Sequence, residues 1–156
     1  MKPNATCLIV DDSDVIRKVM RAIIEGLDIT VDEATSTEEA MAKCRGKLPD
    51  VIVLDWLIPG SNPMEFLATL QANQLGKRVK VLYALTNNDQ AEISKARSAG
   101  VSEIVPKPFT RVQLEAKIIA LLSTPRDIAS ELANQRPLVR AGYAMPIAGL
   151  RTAIEV

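Results

Sequence analysis

Short apolar runs alternate five times with longer segments that carry helix-capping residues, and this alternation restricts the chain more than any other feature. The expected strands are Cys7–Asp11, Thr30–Glu33, Val51–Asp55, Val79–Ala84 and Glu103–Val105. Between them, Ser13 or Asp12 caps a helix that reaches Glu25 and stops at Gly26. Ser36-Thr37-Glu38-Glu39 reads as a capping box whose helix ends at Gly46. Asn62-Pro63 supplies a cap followed by proline at the first helical position, with Glu65 completing the box. Asn88 or Asn87 opens a fourth helix that stops at Gly100, and Thr110 with Gln113 opens a fifth that runs to about Leu122.

Strands interleaved with helices in this way pair in parallel, because each helix returns the chain to the start of the next strand. Leu8-Ile9-Val10 and Val51-Ile52-Val53-Leu54 are apolar without alternation, the pattern of central strands covered on both faces. The expected class is therefore α/β, a doubly wound five-stranded parallel sheet with helices on both faces. Residues 1–124 form that domain. Composition shifts at Thr124-Pro125, and residues 125–156 are expected to be a C-terminal extension: a short helix, Pro125–Asn134, then an apolar segment interrupted by Pro137, Gly142, Pro146 and Gly149. The extension is too short for a core of its own or for a winged-helix output domain. Its apolar positions, Leu138, Val139 and Tyr143 among them, need cover. They either fold back on the first domain or cross to a second copy as a homodimer arm, and the broken Pro/Gly pattern favours the arm.

Composition excludes several chemistries. The chain has no histidine, which removes His-based zinc sites, Ser-His and Cys-His catalysis, and a phosphohistidine on this protein. Nineteen basic residues balance nineteen acidic ones, so no net field attracts nucleic acid or an anionic membrane. No apolar run approaches the roughly 20 residues that span a bilayer, and the first residues lack the apolar core of a secretory signal, so a cytoplasmic protein is expected. Cys7 and Cys44 lack metal-ligand spacing and read as reduced thiols.

In a doubly wound sheet, sites form at the carboxyl ends of the strands. There the sequence places Asp11-Asp12 after the first strand, Asp55 after the third, Thr86 near the end of the fourth and Lys107-Pro108 after the fifth. Any one of these is ordinarily a cap or a turn residue. Together they bring three carboxylates to one rim, which is costly unless a cation neutralises them. Magnesium suits such a site, since it takes a few carboxylates, keeps waters and accepts a phosphate. A lysine adds a point charge for phosphate oxygens, and a threonine a hydrogen bond. Asp55, alone at the end of the central apolar strand, is the candidate nucleophile for an aspartyl-phosphate, and Asp11 with Asp12 is the pair suited to the metal.

The set Val10-Asp11-Asp12-Ser13, Val53-Leu54-Asp55-Trp56-Leu57-Ile58-Pro59, Ala84-Leu85-Thr86 and Lys107-Pro108-Phe109 resembles the receiver domain of two-component response regulators, over residues 6 to about 123. The resemblance implies a flavodoxin-like sheet of order 2-1-3-4-5. It implies that Asp55 accepts a phosphoryl group from the phosphohistidine of a histidine kinase or histidine phosphotransfer protein, with Mg2+ as cofactor. Asp12 would bind the metal directly and Asp11 mainly through water, with Asp55 and the backbone carbonyl of Leu57 completing the protein ligands. Thr86 would follow the phosphoryl group, and Lys107 would pair with its oxygens, its bond to Pro108 being cis at little cost. The protein would not be an enzyme beyond transfer to and hydrolysis from itself. It would signal as a single-domain regulator, by docking to a downstream protein target or by passing phosphoryl groups along a relay.

Several positions depart from the family pattern, among them an early Gly60, with Pro63 near the usual glycine, in the loop after Asp55. Ile104 replaces the frequent aromatic residue three positions before the lysine, Pro106 immediately precedes that lysine, Leu57 stands where polar residues are common, and the threonine is expected one position earlier, where Leu85 stands. Thr86 takes that role here with a one-residue shift. Two alternatives compete. A phosphatase of the haloacid dehalogenase type would need a second acid two residues after the nucleophile, and that position is Leu57. A phosphorylation-independent adaptor is disfavoured by the intact Asp11, Asp12, Asp55 and Lys107.

Overall fold

The structure is a computed structural model and describes residues 4–73, 79–86 and 89–123. A compact unit spans Met1–Ser123. The expected helix Pro125–Asn134, and the rest of the extension at 125–156, lie outside the described residues. Five strands, β1 (Thr6–Val10), β2 (Thr30–Ala34), β3 (Val51–Asp55), β4 (Lys80–Leu85) and β5 (Glu103–Pro106), alternate with five helices, α1 (Asp14–Glu25), α2 (Thr37–Gly46), α3 (Pro63–Ala72), α4 (Gln90–Ser98) and α5 (Arg111–Ser123). All neighbouring strands are parallel, in the order β2-β1-β3-β4-β5.

The apolar runs sort by period two onto two cores. Leu8, Val10, Ile52, Leu54, Val81, Tyr83 and Leu85 face one cluster, with Met41, Phe66 and Leu70 from α2 and α3. Cys7, Ile9, Val51, Val53, Leu82, Ala84 and Val105 face the other, with Met20 and Ile24 from α1 and Leu114 and Ile118 from α5. Every residue of β3 is buried, as its uninterrupted apolar sequence requires of a strand covered on both sides. Both cysteines are free and buried, and burial pushes the thiols of Cys7 and Cys44 up to about 12 and about 11, so neither is a poised nucleophile.

The caps follow the sequence with local corrections. Ser13, not Asp12, caps α1, its hydroxyl accepting from the Ile16 N–H. Gly26 ends that helix in a right-handed conformation, and the left-handed residue is Asp28, two positions on. Ser36 accepts from the Glu39 N–H, but the Glu39 carboxylate reaches past it to the Thr35 N–H at 2.8 Å. The box at α5 is reciprocal: Thr110 accepts from the Gln113 N–H at 3.1 Å, and Gln113 from the Thr110 N–H at 2.8 Å. Asp89 caps α4; Asn87 and Asn88 lie outside the described residues. Pro106 is the last residue of β5, an edge strand, where its missing N–H is tolerated.

Gly100 follows α4 with φ +106°, a conformation side chains rarely adopt, and a Cβ there would collide with the Gln71 amide. Gly100→Ala is expected to cost about 1–3 kcal/mol, mainly from backbone strain because the Gln71 side chain can move aside. Urea denaturation measures it; an unchanged midpoint contradicts the expectation.

Candidate functional site

The carboxyl ends of β1, β3, β4 and β5 share one rim of the sheet, and the backbone ladder runs one residue past three of those strands. The Asp11 N–H donates to the Ala34 carbonyl at 3.1 Å, the Trp56 N–H to the Ala84 carbonyl at 3.0 Å, and the Lys107 N–H to the Leu85 carbonyl at 3.0 Å. The residues that follow these three strands are therefore held by main-chain bonds before any ligand arrives. The Lys107–Pro108 peptide is cis. Ser13 donates its N–H to Asp11 Oδ1 at 2.9 Å, fixing that carboxylate over the turn into α1.

Three carboxylates meet here. Asp11, Asp12 and Asp55 each offer an oxygen, and these oxygens lie within 4.8 Å of one another. Asp11 and Asp55 are buried, and Asp12 is exposed. Lys107 Nζ reaches into the cluster, 3.0 Å from Asp55 Oδ1 and 3.3 Å from Asp11 Oδ2. Burial pushes the Asp55 carboxyl above its usual range; the Lys107 hydrogen bond opposes this, and the charges of Asp11 and Asp12 add to it. Burial would lower the Lys107 ammonium, but the hydrogen bond and charge of Asp55, aided by Asp11, outweigh it and hold the group above its ordinary value. One ammonium among three carboxylates leaves surplus negative charge in a confined site. A hard divalent cation with oxygen preference fits that donor set, whereas the absence of thiol or imidazole ligands from it disfavours zinc.

The structure thus brings Asp11, Asp12, Asp55 and Lys107 together. Thr86 lies on the same rim, one residue beyond β4, exposed, with its hydroxyl accepting a hydrogen bond from the Trp56 indole N–H at 3.0 Å. Leu85, at the position where the family pattern expects the hydroxyl, is buried in the core. Leu57 lies two residues past Asp55 with 61% of its surface exposed.

Sequence reasoning missed Arg17. It sits on the inward side of α1, three residues before Met20 and seven before Ile24, both buried, and its own exposure is 8%. Its guanidinium donates to the Asp11 carbonyl at 2.7 Å and to Glu33 at 2.7 Å, and also bonds Asp14. An arginine at helical spacing with an apolar face was the available signal, since such a charge must find partners. Arg17→Met leaves the Asp11 carbonyl and Glu33 without this donor. It is expected to cost about 2–3 kcal/mol, lowering the thermal midpoint by about 10 °C. A midpoint within a degree or two of wild type contradicts this.

The family described as response regulator receiver domain matches residues 7–119. The phosphate regulon transcriptional regulatory protein PhoB of Pseudomonas aeruginosa is 28% identical over 117 residues, covering 75% of this chain and 51% of that protein. PhoB of Rhizobium meliloti is 25% identical over 114 residues, 73% of this chain and 50% of its own length. The chain thus spans about half the length of the curated relatives it matches. The chemotaxis response regulator CheY4 of Vibrio cholerae superposes with a TM-score of 0.72 at 25% identity, over 76% of this chain and 99% of that one.

Proposed function

This chain belongs to the response regulator receiver domain family, and we propose that within it Asp55 accepts a phosphoryl group from the phosphohistidine of a histidine kinase or histidine phosphotransfer protein. The observation that carries this reading is the buried Asp55 carboxylate hydrogen-bonded to Lys107 beside Asp11 and Asp12. Asp55 supplies the attacking oxygen and Lys107 neutralises charge on the phosphoryl oxygens, while Asp12, Asp55 and the Leu57 carbonyl would hold Mg2+ directly and Asp11 mainly through water. Bound there, Mg2+ supplies charge neutralisation and alignment for phosphoryl oxygens. Among the described residues no helix is long and apolar enough to cross a membrane, and we read the protein as cytoplasmic. Residues 1–124 act as the receiver, with 125–156 as an extension that makes a homodimer arm. Output passes by docking to a protein target or along a phosphorelay, without contact to nucleic acid.

Leu57 bears on the lifetime of the product. Its exposed apolar side chain has no group to orient water beside Asp55, so self-dephosphorylation is expected to be slow, with phospho-Asp55 lasting minutes or longer. Leu57→Asn should shorten that lifetime about tenfold or more. A wild-type lifetime of seconds without any partner contradicts this.

The test of function is transfer. Phosphorylated histidine kinases incubated with the protein should pass label to it with magnesium and fail to do so with a chelator. Failure with every donor, small acyl phosphates included, favours a phosphorylation-independent adaptor.

A further inference from the structure

We infer that Trp56 is a positioning residue for phosphoryl recognition: its indole holds the Thr86 hydroxyl at the rim of the site as a hydrogen-bond donor, replacing the placement that Leu85 cannot give. The inference rests on the reading of Asp55 as phosphoacceptor and adds a residue to that site.

Three observations carry it. First, Asp55 pairs in register with Ala84, so the next position, Leu85, is the end of β4, and its side chain is buried in the core. Leu85 offers the rim only its carbonyl, which already accepts from the Lys107 N–H. The hydroxyl at this end of β4 belongs to Thr86, an exposed residue one position past the strand, where the sheet no longer sets its rotamer. Second, Trp56 is fixed at both ends. Its N–H donates to the Ala84 carbonyl at 3.0 Å, and its half-buried ring packs on the core cluster that contains Leu54 and Leu85. From that anchored position the indole N–H reaches Thr86 Oγ1 at 3.0 Å.

Third, the chemistry of the pair sets its direction. An indole nitrogen only donates, whereas a hydroxyl has one hydrogen to donate and two lone pairs that accept. The bond therefore runs from Trp56 to Thr86 and leaves the hydroxyl hydrogen free. Accepting one hydrogen bond polarises a hydroxyl toward donating another. Trp56 immediately follows Asp55, so the residue that orients this donor moves with the residue that carries the phosphoryl group.

The test uses full-length protein and beryllofluoride with magnesium as a phosphoryl mimic. Wild type, Trp56→Phe, Thr86→Val and the double variant are compared for beryllofluoride affinity. Each single variant is expected to bind about five- to tenfold more weakly, and the double variant no more weakly than Thr86→Val, because both remove one arrangement. Additive losses, or wild-type affinity in Trp56→Phe, overturn the inference. A second readout does not depend on Trp56→Phe folding. The chain has one tryptophan, so its indole N–H gives one NMR resonance, which Thr86→Val must shift and expose to faster exchange. An unmoved resonance shows that the bond is not made and overturns the inference. If wild type does not bind beryllofluoride, the reading of Asp55 itself fails; if wild type binds and Trp56→Phe is indistinguishable from it, only the positioning role fails.

Discussion

Asp55→Asn is expected to abolish phosphoryl incorporation while leaving a folded protein. The amide keeps the shape of the carboxylate and an oxygen that can still accept from Lys107, now 3.0 Å from Asp55 Oδ1. It loses the anionic oxygen proposed to attack phosphorus. Asp11 is also buried and bonded to the lysine, but its other oxygen is held by the Ser13 N–H, and Asp55 alone ends the central strand β3. Stability should not fall. Burial and the neighbouring charges of Asp11 and Asp12 already disfavour the ionised Asp55, so removing that charge relieves repulsion that the lost ion pair with Lys107 only partly offsets. The result expected in a transfer assay is no label, at a thermal midpoint equal to or above wild type. Label retained in the variant would place the acceptor elsewhere.

Lys107→Met is expected to be the second large effect, and it separates two contributions of one ammonium. Toward the phosphoryl group proposed for Asp55, Lys107 would act as a fixed positive charge in a partly enclosed site, and loss of one such group typically slows reaction by about 100- to 1,000-fold. Toward the resting protein, it is the cation that touches both buried carboxylates, Asp11 and Asp55. Without it, the cluster is destabilised by about 3 kcal/mol in the absence of magnesium. Magnesium should restore much of that stability, because a cation taken up by the folded cluster and not by the unfolded chain stabilises the fold by mass action. It should not restore the transfer rate. A variant that transfers at the wild-type rate would show that the lysine serves only the fold.

Much of this was legible in the sequence because it depends on local pattern. The uninterrupted run Val51–Leu54 declares a strand buried on both faces, and the cap residues Ser13, Ser36, Asn62 and Thr110 declare the helix starts that follow. The site was legible for a different reason: a parallel sheet gathers its strand ends, so Asp11, Asp55 and Lys107 meet although 52 and 96 residues separate the lysine from its two partners. What escaped depends on rotamers and on contacts between elements. The choice of Glu39 to reach Thr35 rather than Ser36 is a matter of a side chain extending one residue further. Arg17 signals only that a buried guanidinium needs partners, not that the Asp11 carbonyl is one of them. The indole bond from Trp56 to Thr86 joins residues 30 apart across two strands, and neither residue type announces it. The Leu85 and Thr86 shift was visible as spacing, yet its consequence, a buried leucine and an exposed threonine, follows only from which face of β4 each residue occupies.

The most direct measurement is the chemical identity of the phosphorylated residue. The protein is incubated with a small acyl-phosphate donor and magnesium, reduced with borohydride and digested, and the peptides are sequenced by mass spectrometry. An aspartyl-phosphate is an acyl phosphate, which borohydride reduces to homoserine while unmodified carboxylates survive. Homoserine is expected at position 55 alone, and only when both the donor and magnesium are present. Homoserine at position 11 or 12, or a phosphoryl group that resists reduction on a serine or threonine, would contradict it.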